Sequence, residues 1–159
     1  MAHGAEAEFM RRAIALAIEN VRAGVGGPFA AVIVRDGRIV AEAANSVTST
    51  CDPTAHGEVN AIRAACRALG TFSLAGCVIY SSCEPCPMCL AAIYWARLDA
   101  LYFGASQHDA AKAGFDDARL YEEVGMPIAA RSLPTAQLLG EEAWASFGAW
   151  LSTPARVDY

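Results

Sequence analysis

The dipeptide Asp36-Gly37 separates two apolar runs, Phe29 to Val34 and Arg38 to Ala44. Asp-Gly supplies the backbone freedom that a two-residue turn needs, so the segment is expected to form a β-hairpin. The flanking pattern fixes what surrounds it. Over residues 5–24, Met10, Ile14, Ala17 and Val21 form one stripe of an amphipathic helix, while Glu8, Arg12, Glu19 and Arg22 form its polar face. Gly24, Gly26, Gly27 and Pro28 stop that helix. After a polar loop from Asn45 to Pro53, the spacing predicts a helix over 55–69 with Thr54 as N-cap, then a strand over 77–81. A tight connection at Cys83 to Pro85 leads into a helix over 86–97, whose first turn tolerates Pro85 and Pro87. Strands are expected over 100–104 and near 128–133, and a last helix near 142–150. Helix, hairpin, then alternating helix and strand predict an α/β fold: a three-layer α/β/α sandwich around a mixed, five-stranded sheet.

The length of 159 residues suits one domain, and no repeat or linker divides it. A hydrophobic fraction of 55% against 18% charged excludes a disordered chain and supports a core without disulfides. The net charge is −5, and the only adjacent basic pair, Arg11-Arg12, lies among acids. That balance argues against a polynucleotide partner and for a small neutral one. No stretch reaches the ~18–20 apolar residues of a membrane span. Met1 to Glu8 carries two glutamates and no Lys or Arg, so it lacks the basic n-region of a secretory signal. A cytoplasmic location is therefore expected, where the six cysteines would be reduced and available as ligands or core residues.

Two fragments carry chemistry: His56-Gly57-Glu58 and Pro85-Cys86-Pro87-Met88-Cys89. Each opens a predicted helix, and a predicted strand separates them. One imidazole and two thiolates form a three-ligand set for tetrahedral zinc, leaving the fourth position for water. Cys86 and Cys89, three apart, share a helix face in a first turn, where the dipole favours thiolates. Glu58 lies two residues past His56 and points elsewhere on the helix, near the metal but not on it, as a proton shuttle must. Zinc would acidify water toward a pKa of ~7. Glu58 would take the proton and return protons to the ring nitrogen and the departing amine. The combined pattern H-x-E…P-C-x-x-C is the signature of zinc nucleobase deaminases.

On these residues the chain resembles the cytidine-deaminase-like superfamily. Within it, the chain is similar to the small zinc-dependent bacterial guanine deaminases. The resemblance also takes in Gly26-Gly27-Pro28-Phe29, Asn45, Asp52 to Ala55, Ser82-Cys83-Glu84, Ala92 to Arg97, Ala113 to Asp117, Phe147 to Trp150 and Asp158-Tyr159. It implies one zinc ion per subunit on His56, Cys86 and Cys89, proton transfer by Glu58, and purine catabolism as the setting. Asn45 and Asp117 would read the polar edge of a nucleobase, with Asp117 preferred to Asp116. Phe29 and Trp95 would wall the pocket. The resemblance implies a homodimer whose C-terminal segment, about 135–159, swaps onto the partner and brings Tyr159 to the partner's site. Gly57 stands where the family has alanine; its N–H could still bond substrate, but glycine should loosen the helix start.

Three other readings remain open at this level. The same metal set serves tRNA adenosine deamination. A guanosine, cytosine, cytidine or aminotriazine substrate would use it too. A structural zinc module that binds a protein partner would need a fourth ligand, and Cys83 is the nearest candidate. Cys83 is otherwise a buried shaping residue, Cys51, Cys66 and Cys77 are small core or loop residues, and His108 is a surface residue.

Overall fold

The Asp36-Gly37 turn forms as the sequence implies. Asp36 (φ 50°) and Gly37 (φ 71°) both take the left-handed conformation that a type I′ turn requires. They join β1 (Ala30–Arg35) to β2 (Arg38–Ala44). The computed structural model describes residues 2–159; the chain divides into two units, the first ending at Tyr121 and the second running from Glu122 to Tyr159.

In the first unit, α1 (Ala2–Arg22) precedes the hairpin. After it come α2 (Val47–Thr50), α3 (Gly57–Leu69), β3 (Cys77–Cys83), α4 (Pro87–Trp95), β4 (Ala100–Ala105), α5 (Gln107–Lys112) and the start of α6 (Asp117–Gly125). The sheet order is β2-β1-β3-β4. β1 runs antiparallel to both β2 and β3, and β4 runs parallel to β3 after the α4 crossover. Side chains alternate between the two faces of a strand. Val32, Val34 and Tyr80 therefore meet Ala13 of α1 on one face. Ala31, Ile33, Cys77 and Ile79 meet Ala61 and Ala65 of α3 and Ile93 of α4 on the other. Covering both faces explains why β1 reads as a continuous apolar run rather than an alternating one.

Two expectations are corrected. Among the described residues the sheet has four strands, not five: Ile128–Ala130 is one turn of 3₁₀ helix. Pro127 enters it at φ −54° and has no N–H, and Ala130 donates back to the Pro127 carbonyl at 2.9 Å, so this backbone is satisfied locally. The N-cap of α3 is His56, not Thr54. The Thr54 N–H and hydroxyl both donate to Asp52 Oδ1, at 2.8 and 2.7 Å, in a turn before the helix.

The second unit contains the 3₁₀ turn and α7 (Gly140–Leu151). None of its residues is buried. Trp144 is 63% and Phe147 58% exposed, and their rings lie 5.4 Å apart.

Candidate metal centre and active site

Topology brings the two motifs together. Because β1 opposes β3, the start of β1 and the end of β3 lie at one edge of the sheet, along with the end of β2. Phe29 enters β1 there, Asn45 leaves β2, and Glu84-Pro85-Cys86 leaves β3. His56 and Cys86 occupy the N-cap positions of α3 and α4, and neither side chain caps its own helix. Both are thus left to face each other.

His56 Nδ1 lies 3.6 Å from Cys86 Sγ and 3.5 Å from Cys89 Sγ. The three ligand atoms fall within 4.8 Å of one another. A tetrahedral zinc with Zn–S near 2.3 Å and Zn–N near 2.0–2.1 Å separates its sulfur and nitrogen ligands by about 3.5 Å. The triad therefore fits zinc without rearrangement. Its electrostatics are those of a ligand set. The Cys89 thiol and then His56 hydrogen-bond to Cys86 and bring its thiol down to about 4. Sharing that proton pushes Cys89 up. The bond to Cys86, against the opposing effect of burial, raises His56. Cys83 is 5% exposed, donates weakly to the Ser106 carbonyl at 3.7 Å, and is pushed up to about 11 by burial. It stands outside the ligand cluster.

Beside the triad is a cavity of about 260 Å³, lined in part by Phe29, Asn45, Glu58, Phe115 and Asp117. Glu58 is 4% exposed, and burial raises its carboxyl above the usual range. Its Oε1 accepts a hydrogen bond from the Ser81 hydroxyl at 3.0 Å. Asp117, at the start of α6, is raised by burial and next by the Cys86 charge. Asn45 is 6% exposed. Its Oδ1 accepts from the N–H groups of Gly27 and Val47, both at 3.2 Å, which leaves the amide's donor side for the cavity. The Phe29 and Phe115 rings pack edge to face, with centroids 4.7 Å apart.

The structure thus gathers His56, Glu58, Cys86, Asn45, Phe29 and Asp117 at one cavity, with Cys89 completing the triad and Asp116 outside the lining. Trp95 is not among them. It is 60% exposed and lines a shallow depression with Ala91, Tyr94 and Arg97. Six residues past Cys89, it lies about 240° further round α4. Gly57 is buried and packs against Ala30 instead of lining the cavity. Tyr159, in the second unit, is 73% exposed, its ring edge-on to Trp150 at 6.4 Å. Sequence reasoning assigned no site role to Phe115, Glu84, Val47 or Thr48, which also line the cavity, or to Ser81. Phe115, beside Asp117, was the one with a signal: an aromatic residue in a small, polar segment.

The family model of the cytidine and deoxycytidylate deaminase zinc-binding region matches residues 4–105. The chain belongs to this family and is a zinc-dependent hydrolytic deaminase. It is 52% identical to the guanine deaminase of Bacillus subtilis over 151 residues, covering 95% of this chain and 97% of that one. The X-ray structure of guanine deaminase from Bacillus subtilis matches with a TM-score of 0.92, covering 96% and 97% of the two chains at 51% identity. The tRNA-specific adenosine deaminase of Agrobacterium fabrum is 49% identical over 78 residues, only 49% of this chain and 51% of that one. No described helix is long and apolar enough to cross a membrane.

Proposed function

We propose that this chain converts guanine and water to xanthine and ammonia, in the cytoplasm, as a step of purine breakdown. The observation that carries the reading is the likeness to a guanine deaminase over nearly the full length of both chains. Likeness to the tRNA enzyme covers half the chain, and a net charge of −5 does not favour a polynucleotide. The cavity, about 260 Å³, is below the ~300–1,000 Å³ of pockets for drug-sized ligands and suits a free base.

His56 Nδ1 and the sulfurs of Cys86 and Cys89 would hold zinc. When bound, the ion supplies a Lewis acid that makes water acidic enough to lose a proton near neutrality. Glu58 receives that proton on its carboxylate. Burial keeps Glu58 basic enough to accept it, and the same carboxyl then delivers protons to the ring nitrogen and the departing amine. The free donors of the Asn45 amide bond a carbonyl or ring-nitrogen acceptor. The Asp117 carboxylate accepts from an N–H edge. Phe29 and Phe115 hold the flat ring and exclude water.

The same reading includes a homodimer with an exchanged C-terminal segment. What supports it is the second unit by itself: Trp144, Phe147, Leu151 and Tyr159 are exposed and none of its residues is buried. So much apolar surface needs a cover, and the occupant this reading commits to is a second copy of the chain, into whose site Tyr159 would reach. The pocket-wall role that the resemblance gives Trp95, 60% exposed on α4, belongs to the same reading.

The test is ammonia release by zinc-loaded protein from guanine, guanosine, adenine, cytosine, cytidine and an aminotriazine, with Glu58→Ala as control. Guanine turnover that vanishes in the control is expected. Turnover of another substrate with none of guanine would overturn the substrate assignment.

A further inference from the structure

α3 presents one stripe to the sheet: Glu58, Ala61 and Ala65, spaced three and four apart, all buried. β3 presents the alternating column Cys77, Ile79 and Ser81, all buried. Ala61, Ala65, Cys77 and Ile79 belong to one apolar cluster. Glu58 is the polar member of the first stripe and Ser81 the one hydroxyl of the second, and the two bond to each other: the Ser81 hydroxyl donates to Glu58 Oε1 at 3.0 Å. Ser81 is 1% exposed. A buried hydroxyl without a partner is unfavourable, and alanine would complete this face as Ala61 and Ala65 complete theirs.

We propose that Ser81 is a positioning residue for the deamination, resting on the function proposed above: it pins one oxygen of Glu58 so that the other carries every proton. A carboxylate exchanges its two oxygens by rotating about the bond to its chain. Fixing Oε1 stops that rotation. The proton taken from water then rides on Oε2, while Oε1 becomes the carbonyl oxygen of the acid and still accepts from Ser81. The bond therefore survives both protonation states, and the same oxygen that receives the proton gives it up. Ser81 touches neither metal nor substrate and acts only through Glu58.

The variants Ser81→Thr and Ser81→Val test this, since they match in shape and differ only in the hydroxyl. Turnover of guanine, zinc content and crystal structures are the readouts. S81V is expected to lower kcat about 10-fold or more, as loss of orientation does, with KM and zinc content unchanged and S81T restoring most of the rate. In a Glu58→Gln background S81V should lower the residual rate no further. In the crystal, Glu58 should keep its orientation in S81T and rotate in S81V. Equal rates in S81T and S81V, or a further drop in the E58Q background, would overturn the proposal. If neither variant folds, Ser81→Ala, which adds no bulk, makes the same comparison against the wild type. If the wild type deaminates no base, the function fails; an unrotated Glu58 in S81V would overturn the positioning role by itself.

Discussion

Gly57 faces Ala30 across the seam between α3 and β1 with no room to spare: a β-carbon on Gly57 would lie 2.8 Å from the Ala30 Cα and 3.1 Å from its nitrogen. Glycine there does not loosen the helix start, as its propensity alone suggests; it lets α3 seat directly on the strand. Gly57→Ala should force the seam apart at about 1–3 kcal/mol, displacing His56 and Glu58 together. Urea unfolding measures the first effect, and zinc affinity the second. Wild-type stability in this variant would mean that the seam yields freely.

Asn20, 7% exposed near the end of α1, donates its amide to the Gly27 and Asn45 carbonyls at 2.9 and 2.8 Å. It ties together two walls of the cavity from outside. Asn20→Ala strands the Asn45 carbonyl, while the Gly27 carbonyl keeps the Phe29 N–H at 2.9 Å, and should cost about 1–3 kcal/mol. Because Asn45 shifts, KM for guanine should rise more than kcat falls. Calorimetry and steady-state kinetics separate the two effects.

Arg12 donates to Glu42, with Nε 2.9 Å from Oε2, and fixes α1 to β2. That bond holds the Glu42 carboxyl below its ordinary value. A depressed value in the folded state means stabilisation that is present above the ordinary carboxyl range and lost as pH falls through the folded value. The pair is partly exposed, so its worth is about 0.5–1 kcal/mol. Glu42→Gln should melt below wild type at pH 7, and the gap should close below pH ~4. A gap independent of pH would show that charge is not its source.

Chelation should lower the melting temperature, and added zinc should restore it in proportion to the logarithm of its concentration. Glu58→Gln should keep the metal, since Glu58 is not part of the triad, yet lose on the order of 10²–10⁴-fold in rate. Loss of zinc along with the rate would assign Glu58 a role in holding the ion.

Removing Val157 to Tyr159 should cripple turnover while leaving the melting temperature of the rest intact. Full activity in the truncated chain would exclude a role for Tyr159 in a partner's site. Light scattering on the intact protein should give twice the chain mass.

The metal triad was legible because its residues are chemically distinctive and sit at helix starts, where spacing alone sets direction. Asn45 and Asp117 needed the family resemblance, since either could serve an ordinary loop. Ser81 was illegible: one serine in a strand shows nothing until the pairing of β3 under α3 sets it beneath Glu58. The absent fifth strand has a similar cause. Ile128 to Leu133 has strand-like composition, but Pro127 commits the backbone to a local turn before any partner can pair. Trp95, close to the cysteines in sequence, lines a separate shallow depression with Tyr94 and Arg97.

The hairpin that organises the sheet also separates its two ends. β1 runs six residues from Ala30 beside the cavity to Arg35, about 17 Å at ~3.3 Å per step. Asp36 and Gly37 thus form an exposed tip at the far end of β1 from the cavity. A fluorophore, affinity handle or inserted peptide grafted there would extend into solvent from a ladder already closed by Arg35 and Arg38. The molecule offers a natural point of attachment to a surface, with its reactive mouth turned outward.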